Sequence, residues 1–368
     1  MKKLLFLVLF FLLSADQALH AAENVPGSHK GLFVSVLQEP PVLSDRKAIE
    51  ALVESAKRDG YKVLFVQVYR ANEAWFPSKN ARNTSYEQNL KIVGEDPLAF
   101  LIKQAHASGI EVHAWLNLLS LSADGKAPIL EKYGPSILTR NVSDKKTLED
   151  YRVDRQYFLE PGDTRVSWTL ARIVSELVSA YPELDGLQFD YIRYPDVAPA
   201  YGHTKENLGR FRKATGKTDP DEKDVDWRKW KRDQVTALVH KLKNTARAIH
   251  PGIQVSTTGL MPYVRAREEA FQDWREWVDT GLADFVTLMC YSDDVKQFEK
   301  YLKDAESQLP GLEKVNFAVG AYKLVKAPEV YEQEWEICEA SSTRSCVALD
   351  YGSLLQFPAK SGGSVRGG

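Results

Sequence analysis

Among the acids of this sequence, Asp190 is the one whose neighbours best suit it to chemistry. It stands in DGLQFDYIRYP, residues 185–195, where a short apolar run ends on an acid and is followed by Tyr191 and Arg193. Alternation along a strand puts Leu187 and Phe189 on one side, and Gln188 and Asp190 on the other. A carboxylate held in a sheet is costly unless it is paired, and Tyr191 and Arg193 are near enough in the chain to pair with it. The plain reading of these residues is a structural Asp–Arg pair. The chemical reading is a nucleophile or base. One reaction that needs such a group uses two carboxyls, one to protonate a leaving oxygen and one to attack or to activate water; that reaction is cleavage of a glycosidic bond.

A second acid is therefore sought in the same part of the chain. Glu160 lies in FLEPG, Glu73 in RANEAWFPS, Asp293 in CYSDD and Asp350 in ALDYGS. Each has a plainer use: Glu73 as a solvated loop charge, Asp293 or Asp294 as a helix cap, Asp350 as part of a polar layer inside the fold. The run STTGLMPY, residues 256–263, carries no acid, so a pair from the fourth and fifth strands is excluded. Other polar groups belong to the same strand ends: Gln67 and Tyr69, then His113, Trp115 and Asn117 on one face by alternation, then Tyr291 and Tyr322. Trp75 and Trp115 are suited to stacking on a sugar ring or to packing a core. A lone histidine such as His113 is more often a hydrogen-bonded core residue than a catalyst. No metal or cofactor is expected: there is no CxxC, and only His113 and His203 are placed for the metal-assisted deacetylation that forms a minor alternative.

These residues need elements to hold them. Eight β-rich runs occur at residues 31–37, 62–69, 111–117, 186–193, 254–260, 285–291, 316–322 and 346–351. Most are continuously apolar, as strands buried on both faces of a parallel sheet are. Helical patterns alternate with them. Ser44 and Asp96 are expected as N-caps, Pro97 as a first helical residue, and Gly60, Gly109, Gly186 and Gly252 as helix stops. Eight βα units predict an α/β chain closed into a (β/α)8 TIM barrel. An open doubly wound sheet is the alternative, and no GxGxxG follows the first strand. Long loops follow strands 2, 3 and 4, at residues 70–95, 118–164 and 194–226. In a barrel they gather on the C-terminal face, where sites lie, and would wall a groove suited to a polymer.

The ends of the chain set its address. Lys2 and Lys3 precede ten apolar residues, 4–13, and small residues follow, so residues 1–22 are expected to be a secretory signal peptide. Residues 23–358 are expected to form one catalytic barrel domain, and residues 359–368 (AKSGGSVRGG) a disordered tail. A periplasmic or secreted location follows, with no membrane attachment after cleavage, since no later run reaches 18 apolar residues. A monomer is expected. A formal net charge of −2 gives no general attraction to nucleic acid. Cys338 and Cys346 are spaced so that they could pair in an oxidising compartment or stay reduced, and Cys290 lies in an apolar run.

Several segments resemble the glycosyl-hydrolase-like family 10 of bacterial envelope and secreted proteins. They are LFVQVYRANEAWFPSK (64–79), HAWLN (113–117), FLEPGDTRV (158–166), DGLQFDYIRYP (185–195) and DWREWVDTGLADFVTLMCYS (273–292), in the family's order across nearly the whole mature chain. The resemblance implies a barrel glycosidase acting on glycan strands, those of peptidoglycan first. It implies that Asp190 is the family's strand-4 acid and that Gln67, Trp75, His113, Trp115 and Asn117 bind substrate. There are two departures. The family often has two adjacent acids on strand 4, whereas Tyr191 follows Asp190 here. Its usual aspartate before Pro-Gly is Glu160. A glycan-binding barrel without turnover is the competing expectation.

Overall fold

The computed structural model describes residues 29–143, 145–197 and 201–358. The expected signal peptide and tail lie outside the described residues. Eight parallel strands form the barrel: β1 His29–Val34, β2 Tyr61–Arg70, β3 Glu111–Asn117, β4 Gly186–Asp190, β5 Gln254–Gly259, β6 Phe285–Met289, β7 Val315–Val319 and β8 Ser345–Ala348. Each pairs with the next in chain order, and β8 pairs back to β1, so no edge is left open. The fold is a (β/α)8 TIM barrel.

Helices follow the strands: α1 Arg46–Arg58, α2 Pro97–Ala107, α3 Thr164–Ala180, α4 Val225–Ile249, α5 Trp274–Asp279, α6 Val295–Gln308, α7 Pro328–Ala340 and the single turn α8 Tyr351–Leu354. Aspartates start most of them. Asp96 caps α2 by accepting from Ala99 N at 2.9 Å, with Pro97 next. Ser44 is not a cap: Asp45 accepts from Lys47 N at 2.9 Å and starts α1, while Ser44 ends a short 3-10 turn. Gly60 and Gly109 have positive φ and stop α1 and α2 as expected, but Gly186 and Gly252 do not. Tyr181 ends α3 and His250 ends α4, while Gly186 is the first residue of β4.

The core has two shells. One lies between barrel and helices and holds most buried aliphatic residues, such as Leu64, Leu187, Val255 and Leu288. The other fills the barrel with Phe33, Phe65, Trp115, Phe285, Ala318 and Val347. His113 belongs here too, its ring 5.3 Å from Phe65 and 5.8 Å from Phe285. Gly186 makes that possible: a Cβ there would lie 2.2 Å from His113 Nδ1.

The three long loops carry short elements. The loop after β2 holds a two-residue strand, Glu73–Ala74, antiparallel to β2, and the helix Thr84–Val93. The loop after β3 holds the helix Pro128–Tyr133, and that after β4 the helix Lys205–Thr215. A Cys338–Cys346 disulfide joins α7 to β8, and Cys290 is buried and free. No helix among the described residues is long and apolar enough to cross a membrane.

Candidate active site

Asp190 is the last residue of β4, and only 5% of its surface is exposed. Gln188 and Asp190 both point into the barrel: Ser256 donates to Gln188, and Thr258, two residues further along β5, donates to Asp190. Three groups fix the carboxylate. Thr258 Oγ1 donates to Oδ1 at 2.6 Å, the Tyr191 backbone N–H donates to Oδ1 at 2.7 Å, and Trp115 Nε1 donates to Oδ2 at 3.0 Å.

The chain then turns sharply. Tyr191 has φ 49°, left-handed backbone that is uncommon for a residue with a side chain. The turn brings Arg193 back, its guanidinium 4.4 Å from the Tyr191 ring centre and its Nη1 3.8 Å from Asp190 Oδ1. That Nη1 is buried and has no hydrogen-bond partner among the described residues. An unmet cationic donor beside an oriented carboxylate is a place where a bound oxygen would be stabilised.

The neighbouring rim is polar and continuous. Asn117 pairs in register with Asp190. Gln67 Nε2 donates to Asn117 Oδ1 at 3.0 Å, while Gln67 Oε1 accepts from Ser35 Oγ and from Val36 N, each at 3.3 Å. Ser35, Gln67, Trp75 and Asn89 line a small cleft at the rim with room for about one water. Across the mouth, Tyr291 packs edge-on to Tyr322 with ring centres 5.6 Å apart. Burial holds the Tyr291 phenol well above its ordinary range, and the charge of Asp190 adds to the effect. Tyr322 is 48% exposed, within reach of a ligand.

Asp190, Trp115, Tyr191, Arg193 and Tyr291 therefore stand together, flanked by Asn117, Gln67 and Trp75. Other candidates stand elsewhere. Glu73 accepts from Ser85 N at 3.0 Å and pairs with Arg82 at 3.5 Å in its own loop. Asp293 is exposed, beside the Asp294 that caps α6. Asp350 is not in the barrel's polar layer: it caps α8, accepting from Ser353 N at 2.9 Å and Ser353 Oγ at 2.7 Å. Tyr69 faces the helix-side core, fully buried, and its hydroxyl accepts from Asn72 at 3.1 Å, so it is a wall residue in this conformation. His113 is a core histidine, with Nε2 3.4 Å from Glu111.

Glu160 is fully buried in the loop after β3. Its oxygens accept from Tyr194 Oη, Thr139 Oγ1 and Gly162 N. Burial raises its carboxyl to about 7, and these hydrogen bonds oppose the shift. Among the described residues no carboxylate hydrogen-bonds to Asp190 or shares a partner with it. Glu334 on α7 is also buried, with neither oxygen partnered among the described residues; burial first, then the charge of Asp293, raises it to about 8. Among the described residues no group of three or more His, Cys, Asp or Glu is arranged to hold a metal ion.

Sequence reasoning missed Thr258 and Ser35. The signal for Thr258 was present: Ser256 and Thr258 alternate along β5 and meet Gln188 and Asp190 across one strand boundary. Ser35 lies just past the end of β1, where alternation no longer assigns a face.

The sequence profile described as Glycosyl hydrolase-like 10 matches residues 35–336. The chain belongs to this family. A curated relative, "Glycosyl hydrolase DigH" of Escherichia coli (strain K12), is 26% identical over 342 residues, covering 83% of this chain and 74% of its own length. "Glycosyl hydrolase YngK" of Bacillus subtilis (strain 168) is 22% identical over 272 residues, covering 65% of this chain and 48% of its own. Among solved structures, the α-galactosidase of Lactobacillus brevis matches with a TM-score of 0.53 and 11% identity over 89% of this chain. A GH42 β-galactosidase of G. stearothermophilus matches with 0.58 and 13% over 88%. This chain spans only 38% and 51% of those two proteins, and at such identities the likeness is one of fold. The glycosyl hydrolase-like family and the barrel thus agree.

Proposed function

We propose that this chain is an exported glycoside hydrolase that cleaves a polysaccharide, bacterial peptidoglycan glycan strands first, with Asp190 as nucleophile or general base. The observation that carries the reading is the Asp190 carboxylate itself, held by three donors at the C-terminal end of a barrel strand beside Arg193 Nη1, which has no hydrogen-bond partner among the described residues. Trp75, Gln67 and Asn117 would hold neighbouring sugar units along the rim. Family membership supports glycosidase chemistry, and the peptidoglycan substrate rests on the motifs shared with envelope and secreted proteins. Export rests on the leader-like residues 1–22 and is supported by the Cys338–Cys346 disulfide. The protein would act as a monomer.

The second reading is a glycan-binding barrel without turnover. It is favoured by Tyr191 in place of a second strand-4 acid, and by the absence of another carboxylate around Asp190 among the described residues. Incubation of wild type and Asp190→Asn with peptidoglycan strands, with and without stem peptides, and with chitin and plant polysaccharides separates the two. Products are identified by mass. Oligosaccharide release by wild type that collapses in Asp190→Asn supports the hydrolase. Glycan binding without release from any of them supports the binding barrel.

A further inference from the structure

Glu160 carries the features of a catalytic acid, a raised carboxyl in a loop on the right face of the barrel, but it is sealed from solvent. Its bonds show another use. One oxygen accepts from Tyr194 Oη and from Gly162 N at 3.3 Å, and the other from Thr139 Oγ1 at 2.9 Å. Its backbone N–H donates to Ile137 O at 2.8 Å. Thr139 Oγ1 in turn accepts from Gly202 N at 3.0 Å, and Asn207 Nδ2 donates to Gly202 O at 2.8 Å. One carboxyl therefore joins the loop after β3 directly to Tyr194 and, through Thr139, to Gly202 in the loop after β4. Tyr194, fully buried and tied to Ala270 O through its own N–H at 2.9 Å, directly follows Arg193.

From this geometry we infer that Glu160 is a positioning residue, a latch that holds the turn after β4 so that Tyr191 and Arg193 stay against Asp190. The inference rests on the hydrolase reading for its consequence in turnover, but not for the latch itself. The charged and titratable groups facing Glu160 are Tyr194 and Asp163 from the loops, Lys231 from α4, and Arg210, which donates to Gly162 O. Lys231 is engaged by Glu222, which also pairs with His203 at 3.6 Å. A carboxyl raised on folding contributes its full stability at low pH and loses it as pH rises through the folded value. Burial raises the Glu160 carboxyl to about 7, so stability is lost between about pH 4.5 and pH 7, while the Tyr194, Thr139 and Gly162 donors favour the ionised form and keep the latch bonded above it.

The test combines amide hydrogen exchange over residues 191–207 with kcat and KM for wild type, Glu160→Gln, Glu160→Ala and Tyr194→Phe, at pH 6 and pH 8. After correction for intrinsic rates, Glu160→Ala and Tyr194→Phe should exchange this segment about tenfold faster at pH 6, as expected for one lost buried hydrogen bond, with the barrel strands unchanged. Glu160→Gln keeps an acceptor oxygen and should keep more protection than Glu160→Ala, with kcat within a few-fold of wild type at both pH values. The open-latch variants should raise KM as well as lower kcat. Should Glu160→Ala fail to fold, Tyr194→Phe carries the same arm. The inference falls if neither Ala nor Phe loosens the segment. It also falls if Glu160→Gln loses turnover by 10²-fold or more with protection intact, since Glu160 would then act on substrate. If wild type releases no product from any glycan, the hydrolase reading falls and the exchange arm still decides the latch.

Discussion

The end of β4 and the loop pocket below it each bury a carboxylate, and each supplies it with three hydrogen-bond donors. The difference lies in what is left over. Around Asp190 the cation Arg193 keeps a donor with no hydrogen-bond partner among the described residues, and the partly exposed Tyr191 and Tyr291 border the group. Around Glu160 every bond is internal: its donors are Tyr194, Thr139 and Gly162, and two of them, Tyr194 and Thr139, are tied to other loop segments. An oriented acid with an unmet neighbour is arranged for a ligand. An oriented acid whose neighbours are all satisfied holds structure. Glu334 is the limiting case, buried with no donor on either oxygen among the described residues.

The comparison breaks first at Asp190. Asp190→Asn keeps the shape, and the Trp115, Thr258 and Tyr191 donors still find an amide oxygen for part of their bonding. Product release should fall by at least about 10³-fold, ~4 kcal/mol of barrier. A variant that releases product at the wild-type rate would make Asp190 a structural residue and erase the distinction drawn above. Arg193→Ala comes next. Removing a charge-assisted donor to a bound oxygen costs about 1.5–3 kcal/mol, so KM should rise about ten- to a hundredfold with little change in melting temperature. A lower melting temperature with unchanged KM would instead make Arg193 a partner only for Asp190.

Glu334→Met tests the case without donors. Its carboxyl is raised to about 8, so wild type loses stability as pH rises from about 4.5 through 8. The Met variant removes that cost and should melt several degrees higher, by an amount that grows between pH 5 and pH 8, with turnover unchanged. A pH-independent difference would mean that the site admits water. The smallest effect is expected of Thr258→Val, which removes one of three donors at constant volume. About 1 kcal/mol of orientation, a several-fold loss in kcat at constant KM, would place Thr258 among the positioning residues.

The barrel was legible because most of its strand segments read as nearly continuous apolar runs, and an eightfold alternation of such runs with helical ones has few other solutions. Asp190 was legible for a related reason: alternation with Phe189 and Leu187 settles which way it points. Glu160 was not, because a loop acid has no period, and Asp350 was not, because the strand read over residues 346–351 ends at Ala348 and Asp350 caps the turn after it. Whether Glu160 faces a groove or three internal donors depends on Tyr194 and Thr139, which are 34 and 21 residues away. Tyr69 ends an apparent alternation that points it to the mouth, but β2 shifts register against β3 between Gln67 and Tyr69, and the ring turns to the outer core. Ser44 lost its capping role to the adjacent Asp45 by a single residue.

The contact of Gly186 with the His113 ring has a consequence for inheritance. A methyl at position 186 would overlap the imidazole, and a smaller side chain at position 113 would leave a void between Phe65 and Phe285. Neither residue can drift alone at low cost. Across related sequences the two positions should change together or not at all, a ring on one strand accompanied by glycine on the next. That pairing would mark descent of this barrel interior even where the residues of the mouth have diverged.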